Sequence, residues 1–527
     1  MPILNISPHS GLLKKLPEHK IAGKKEQYLL EAMNYIDLNG RLMTMPGNER
    51  YDSTAKLGLP SWGRRMYYRV GMDDYRHSFV VIGGKMYKSQ DSNRTFNQVK
   101  IDGNFDTQLD TDSVPMDAAI EISGNIVTYL VDGTYFYKFI PNTEGVWERL
   151  PIKTDIDGNT IEPIDICFYQ DRFFVLVKKR NIVLFCKNLE PENWNDSTDA
   201  GLIQLPAGNG GYPTKLFVHR GFLHVIHDDY FTPISGNSAL TYGVNPGDVV
   251  YGFGSRAPLS VISLKKYFGF LNSDDNEYYL SGGTLDSTTQ SPLSDPIGLR
   301  NLINPTKAHL TAATFDPNIN CIRIGYTPYG EAVNNSEAIY SFEEKKWAGE
   351  TYGKKIARYF VQDGPGDNSE VMTLRSDTGL VMFEGRGLNL DATTTPNSGS
   401  PQRYRFVTGD YAEDYIHDLQ FTEFFIDAKP YGTLTKLPLA YYLDARITAR
   451  GLEQVTLQGE VINLGLIEIG EQNVYFDRIM PLIDRSKGRM IRFESDETVS
   501  NASREIYSIS CAYNKQNTRV TKWTVGA

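Results

Sequence analysis

Cysteine is scarce in this 527-residue chain: four residues, Cys167, Cys186, Cys321 and Cys511, with no C-x-x-C pair among them. Their wide spacing excludes a dense disulfide framework and a cysteine-built zinc site, and reads as core thiols in a reducing compartment. Long apolar runs are also missing. None reaches the ~18 residues of a membrane span, and the opening MPILNISPHSGLLKK has no signal-peptide core. The expectation is synthesis in the cytosol and no membrane span. No G-x-S-x-G, H-E-x-x-H or Walker loop occurs. Positive charge is in deficit, with 54 Lys and Arg against 64 Asp and Glu, a net charge of −10. A freely binding nucleic-acid protein is usually basic, because it must displace counterions from phosphates. This balance argues against such binding but suits a wall past which DNA moves.

Aromatics and glycine are plentiful: 32 Tyr, 25 Phe and 46 Gly, with 40% hydrophobic residues overall. That composition supports a sizeable core and favours strands and turns. The length allows two to four domains, or one large repeat domain with additions.

The stretch VDGTYFYKF (131–139) follows the apolar IVTYL, so Asp132-Gly133 predicts a tight hairpin turn with positive φ. It has relatives. SFVVIGGKMYK turns at Gly83-Gly84, FFVLVKKRNIVLF near Arg180, FLHVIHDDYFTPI at Asp228-Asp229 and YFGFLNSDDNEYYL at Asp275. EAVNNSEAIYSF turns at Asn334-Asn335 and VMTLRSDTGLVMFEG near Thr378. The first five turns are 49, 48, 48 and 47 residues apart. Phe96, Trp147, Trp194 and Trp347 follow their turns by 12 to 15 residues, marking one repeated position.

A period near 48 with several short strands per unit predicts an all-β fold: a β-propeller of six or seven blades. One blade cannot bury both faces; blades packed around an axis bury each other and protect their edges. Two sandwiches of unrelated hairpins are the competing reading, and the regular spacing favours the propeller. The expected division is an N-terminal arm with a short helix at KKEQYLLEAM (24–33) over residues 1–60, the propeller over 61–395, and a C-terminal β-sandwich over 396–527. The Thr, Ser, Pro and Gly-rich GLNLDATTTPNSGSPQR marks the linker.

Candidate chemistry is thin. His219, His224 and His227 lie near Asp228 and Asp229, but positions 224 and 227 of one strand point to opposite faces, so blade histidines are the reading rather than a metal set. Asp155, Asp157 and Asn159 resemble the start of a calcium loop but lack its distal carboxylate, which leaves a polar turn. Ser89–Phe96 (SQDSNRTF) is similar to the Asp-box of sialidase-type propellers, with Asn93 and Phe96 where that box has Gly and Trp. Even a true box braces a hairpin and does no catalysis. The charged DRIMPLIDRSKGRMIRF (477–493) reads as a solvated loop between strands. No catalytic, cofactor-binding or metal residue is assigned.

Two stretches go further. NYIDLNGRLMTMPGNERY (34–51), with Gly40, Leu42, Pro46 and Gly47 leading to YYRV and GGKMYK, resembles the N-terminal segment of tail proteins of short-tailed bacteriophages. NLEPENWNDSTDAGLIQLPAG, with Pro191 and Trp194, is similar to a Pro-x-x-Trp segment of their tail hub and nozzle proteins. The opening MPI looks like their DNA-stabilisation proteins, and GRMIRFES followed by REIYSISCAYN looks like their closing sandwich. The resemblance implies a non-enzymatic virion protein assembling as a ring, usually a hexamer, below the portal and adaptor. Such a ring retains packaged DNA, lets it pass without sequence-specific binding, and docks fibres or spikes. It brings no catalytic residue. A glycan-cleaving or glycan-binding propeller is the alternative, on the partial Asp-box and the surface aromatics; a cellular binding propeller is a third.

Overall fold

In a computed structural model, the structure describes residues 3–5, 12, 29–39, 41–45, 48–51, 58–90, 95–111, 113–122, 125–208, 211–281, 291–362, 371–384, 402–408, 419–431, 435–443, 451–457, 476–481, 487–488, 491–499 and 503–515. The fold is nearly all-β. Among the described residues the helical segments are a few short turns, and no helix is long and apolar enough to cross a membrane. Contacts divide the chain into two units, one of Arg50–Glu337 and Lys354–Glu384, the other of Met1–Glu49, Ala338–Gly353 and Gly385–Ala527. This differs from the expected three-part division.

The first unit is a six-blade β-propeller arrangement. Three successive four-stranded antiparallel meanders begin at Met116, Pro163 and Pro213, followed by a three-stranded one beginning at Ile262. A further hairpin pairs Ala312–Asp316 with Cys321–Tyr326. The remaining sheet joins the two ends of the unit. Its early meander (Pro60–Val70, Asp73–Ile82, Lys85–Gln90, Asn97–Gln98) meets its late one (Ile356–Gln362, Met372–Arg375, Val381–Glu384) through a parallel pairing of Val361 with Arg64 and Gln362 with Arg65.

Strand alternation explains the packing. Leu130 joins Trp62, Phe79, Val81 and Trp147 on one side of its sheet, while its neighbours Tyr129 and Val131 join Phe173, Val175 and Trp194 on the other. Phe174 and Leu176 then face Leu216, Leu223 and Val225 of the next sheet. Each sheet thus gives alternate residues to the sheet before and the sheet after. Phe217 and Phe231 continue the series onto Phe268 and Phe270. Val80 and Ile82 close it against Met372, Leu374 and Val381. Trp62 and Trp147 meet edge to face at 5.8 Å, a contact of about 0.5–1.5 kcal/mol beyond area burial.

Six of the seven turns named from the sequence lie between the second and third strands of a meander, and the Asn334-Asn335 turn lies between Cys321–Tyr326 and the next strand, Ser336–Ser341. The tight turn expected at Asp132-Gly133 is wider than that: Val131 pairs with Phe136, so the loop holds four residues. The reason is Asp132, which is fully buried. Its Oδ1 accepts the Thr134 and Tyr135 N–H groups at 2.9 and 2.8 Å, and its Oδ2 accepts the Asp110 N–H and the Tyr137 hydroxyl, both at 2.8 Å. A side chain that captures two N–H groups of its own loop widens the turn. Gly133 has φ +94°, and a Cβ there would overlap Ser113 Oγ. Gly133→Ala is therefore expected to cost about 1–3 kcal/mol, read as a lower urea midpoint; an unchanged midpoint would mean that the loop relaxes freely.

In the other unit, Leu419–Tyr431 pairs along its length with Ser503–Lys515, and Phe476–Pro481 flanks it. Gln402–Thr408, Ile491–Val499, Thr435–Leu443 and Gly451–Leu457 form a second series. The helix expected at 24–33 is corrected in its described part. Leu29–Met33 is a strand, held antiparallel to Gln402–Thr408 with Met33 beside Glu350, because partners on two sides override local propensity. Within residues 1–60, Ile3–Asn5 pairs with Ser510–Ala512, and Leu42 and Met43 with Ile506 and Glu505.

Candidate functional site: charges where the first strands begin

Proline opens three of the first strands, at Pro60, Pro163 and Pro213. In each the register shifts at the next residue, between Pro60 and Trp62, Pro163 and Asp165, and Pro213 and Lys215; Ile356 and Arg358 repeat the shift. Proline has no N–H for the ladder, and a bulge re-aims the residue after it. Trp62, Asp165, Lys215 and Arg358 are the re-aimed residues, and with Arg64 and Asp117 they make one charge cluster.

Asp117 is its hub. Trp62 Nε1–H donates to Oδ1 at 2.7 Å, and the Arg64 guanidinium donates to Oδ2. Arg358 Nη1 donates to the carbonyls of Ser61 (3.2 Å) and Pro115 (2.7 Å), which ties the late meander to the early one and to the sheet beginning at Met116. Lys215 Nζ donates to Asp165 Oδ1 at 2.9 Å, and the Leu216 N–H to Oδ2 at 2.5 Å. Met116 Sδ lies between the two cations, 3.5 Å from Lys215 Nζ and 4.0 Å from Arg358 Nη2.

The two carboxyl groups are shifted in opposite directions. Burial alone would raise Asp117, but Arg64, the Trp62 N–H and Arg358 outweigh it and hold the carboxyl below its usual range. Burial dominates at Asp165 and pushes it up, against Lys215 and the Leu216 N–H. Burial, with the nearby Asp165, pushes the Cys167 thiol up to about 12. Burial also lowers the Arg358 guanidinium, while Asp117 and Asp165 counter that. Each of these two carboxylates is held by donors from another strand, which suits a brace between blades.

The sequence candidates fall elsewhere. Asp155 is buried and accepts N–H groups from Asp157 (3.0 Å) and Asn159 (2.8 Å) and the Arg180 guanidinium (2.9 Å), so its oxygens serve a turn. His219 and His224 sit in an aromatic stack with Phe217 and Phe268. Burial lowers both, His224 to about 4. His227 joins neither; its ring stacks on Tyr230 at 4.4 Å, and its Nδ1 lies 2.6 Å from an oxygen of Asp228 and of Asp229. Of SQDSNRTF, residues 91–94 lie outside the described residues, and Phe96 packs on Tyr51 at 5.3 Å. The charged 477–493 stretch carries strand at Phe476–Pro481, Lys487–Gly488 and from Ile491; its other residues lie outside the described set. Gly40, Pro46 and Gly47 also lie outside it, while Leu42 is buried. Trp194 tilts against Phe136 at 5.3 Å and anchors its connection to the preceding sheet.

Sequence reading missed the cluster. A signal was present: Pro115-Met116-Asp117, Pro163-Ile164-Asp165 and Pro213-Thr214-Lys215 recur 48 and 50 residues apart.

No family model matches the chain, and no curated protein matches it. Solved structures do. A putative 6-phosphogluconolactonase from Bacteroides fragilis NCTC 9343 is 11% identical with a TM-score of 0.39, covering 63% of this chain and 92% of that one. The Swd1 β-propeller domain of Myceliophteria thermophila is 10% identical with a TM-score of 0.38, over 63% of this chain and 99% of that one. PorZ, a surface component of the type-IX secretion system of Porphyromonas gingivalis, is 11% identical with a TM-score of 0.38, over 82% of this chain and 52% of that one. The fold itself stands on the strand pairings above.

Proposed function

We propose that this chain is a structural protein of a phage tail, a nozzle or hub that assembles into a ring, of six copies in this reading, below the portal and its adaptor. The observation that carries the choice of scaffold over enzyme is the occupation of its buried carboxylates. Asp117, Asp132, Asp155 and Asp165 each receive fixed donors from their own loop or from another strand, which is the chemistry of bracing. Glycosidase work instead needs a pair of carboxyl groups set across a substrate. The link to a tail comes from the Gly40, Leu42, Pro46, Gly47 stretch and from Pro191 and Trp194. In this reading the C-terminal strands form a sandwich, and fibres or spikes dock on the ring. Genomic DNA passes through the lumen, where a net charge of −10 per chain keeps phosphate affinity low. Assembly takes place in the host cytoplasm.

Light scattering and electron microscopy of the purified chain, with and without its adaptor, are expected to give closed rings or a co-assembly. A chain that stays monomeric with the adaptor and never enters virions overturns the proposal. A screen of capsular and cell-wall glycans serves the alternative, and turnover of any of them would replace the scaffold reading.

A further inference from the structure

At the turn after Phe222–His227 one imidazole nitrogen faces two carboxylates. His227 is fully buried, and its Nδ1 lies 2.6 Å from Asp228 Oδ1 and 2.6 Å from Asp229 Oδ1. A single ring nitrogen carries at most one proton. If that proton serves Asp229, Asp228 Oδ1 is left without a donor, and this oxygen is indeed out of reach of water with no hydrogen-bond partner. If the proton sits on Nε2, which faces Asn181 Oδ1 at 3.4 Å, then Nδ1 presents a lone pair to two anions. The atom left over is Asp228 Oδ1, and a buried acceptor without a donor costs about 1–3 kcal/mol.

The surroundings sharpen this. A Cβ at Gly208 would overlap His227 Cε1, and one at Gly211 would overlap the Asp228 carboxylate, so at these two positions the main chain lies directly against the cluster. Among the described residues, Arg256 pairs with Asp228, its Nε 3.8 Å from Oδ2 and its side chain 70% exposed. Across the gap, Asp274 is held above the usual carboxyl range by burial and by Asp275, Asp229 and Asp228, against Arg256. The Asp275 oxygens are taken by the Glu277 N–H (3.0 Å) and the Tyr279 hydroxyl (2.6 Å).

We propose that His227 Nδ1, Asp228 Oδ1 and Asp229 Oδ1 bind a divalent transition cation such as Zn²⁺, Mn²⁺ or Co²⁺. Their ligand atoms all lie within 4.8 Å of one another. One nitrogen and two carboxylate oxygens are a donor set such ions accept. Asn181, by holding Nε2–H, fixes the tautomer that turns the Nδ1 lone pair toward the ion. The alternation that separates His224 from His227 does not prevent the site, because the turn brings in consecutive aspartates. All three ligands lie on the one turn after Phe222–His227, and the site is independent of the tail assignment.

The test uses the full chain stripped with a chelator and then titrated with Co²⁺ alone, followed by its visible absorption. One Co²⁺ per chain, displaced by Zn²⁺, is expected. Asp228→Asn and Asp229→Asn should each weaken binding by about ten-fold or more. Melting separates a ligand from a structural carboxylate. Stripped Asp228→Asn should melt no lower than the stripped parent, because a donorless charge is gone, yet it should lose the rise that Zn²⁺ gives the parent. No Co²⁺ spectrum in the parent, binding unchanged in both variants, or a stripped Asp228→Asn that melts below the stripped parent each overturns the proposal.

Discussion

Asp117→Ala is expected to lower the stability of the propeller unit by about 3–5 kcal/mol, the range for breaking a buried ion pair from one side. The substitution leaves the Trp62 N–H without its acceptor and sets Arg64 and Arg358 together with one fewer anion. Arg64 and Asp117 are each 14% exposed, so water reaches neither well enough to replace the partner. The pH dependence has a definite sign. The folded-state carboxyl is depressed, so its stabilisation is fully present above the unfolded carboxylate range, near pH 4, and is lost as pH falls through the lower folded value. The parent should therefore lose stability on acidification more steeply than the variant does. Urea titrations followed by tryptophan fluorescence, repeated down the pH scale, read both effects, and Trp62 beside the mutation gives a local signal. An Arg64→Ala cycle should show coupling of about 0.5–3 kcal/mol. A loss below about 1 kcal/mol, typical of an exposed pair, would mean that the cations simply turn to solvent, and the cluster would no longer be a brace.

Much of the propeller was legible in the sequence, and the reason is physical. Turns need specific residue types, so Gly83-Gly84, Asp132-Gly133 and Asp228-Asp229 stand out between apolar runs, and packing repeats them near every 48 residues. Trp147 and Trp194 were legible because a repeated wedge must be filled by large side chains. Pairing partners were not legible. Leu29–Met33 has the composition of a helix and becomes a strand because residues some 370 positions away supply its neighbour. The same limit hid the parallel join of Val361 to Arg64, which merges two meanders into one sheet. The charge cluster was hidden for a third reason. Asp117, Asp165, Lys215 and Arg358 are ordinary residues along the chain; the bulges after Pro60, Pro163, Pro213 and Ile356 re-aim Trp62, Asp165, Lys215 and Arg358, and Asp117 meets Trp62 from the next sheet. At His227 the alternation rule correctly separated His224 and still missed the cluster, because the converging side chains are sequence neighbours around a turn.

Glu337→Ala is expected to match or exceed the first substitution, at about 3–5 kcal/mol, because its site is drier. Glu337 is wholly buried; Oε1 accepts the Tyr359 hydroxyl at 2.7 Å, and Arg323 Nη1 lies 3.3 and 3.2 Å from the two oxygens. Lys354 Nζ stands 3.8 Å away, and Arg323 Nε also donates to Asp316 at 2.8 Å. The quartet holds two anions and two cations, none more than 5% exposed at the side chain, so removal of Glu337 takes a carboxylate away from two buried cations. Its placement makes the loss matter for the ring. Arg323 and Asp316 belong to the hairpin before the joined sheet, whereas Tyr359 lies in the joined sheet's late meander, so Glu337 ties the two. Asp117 and Arg358 tie the same sheet on its other side. Glu337→Gln should lose less than Glu337→Ala, since an amide oxygen still accepts from Tyr359. Adding Lys354→Met to Glu337→Gln should recover part of the loss, because charge imbalance rather than cavity volume is then the main defect. If Lys354→Met instead deepens the loss, packing around the lysine stem dominates and the electrostatic account fails. Under the tail proposal the order of stability, parent above Glu337→Gln above Glu337→Ala, should reappear as the order of ring yield, since a propeller that opens at this joint cannot present a closed wall to its neighbours.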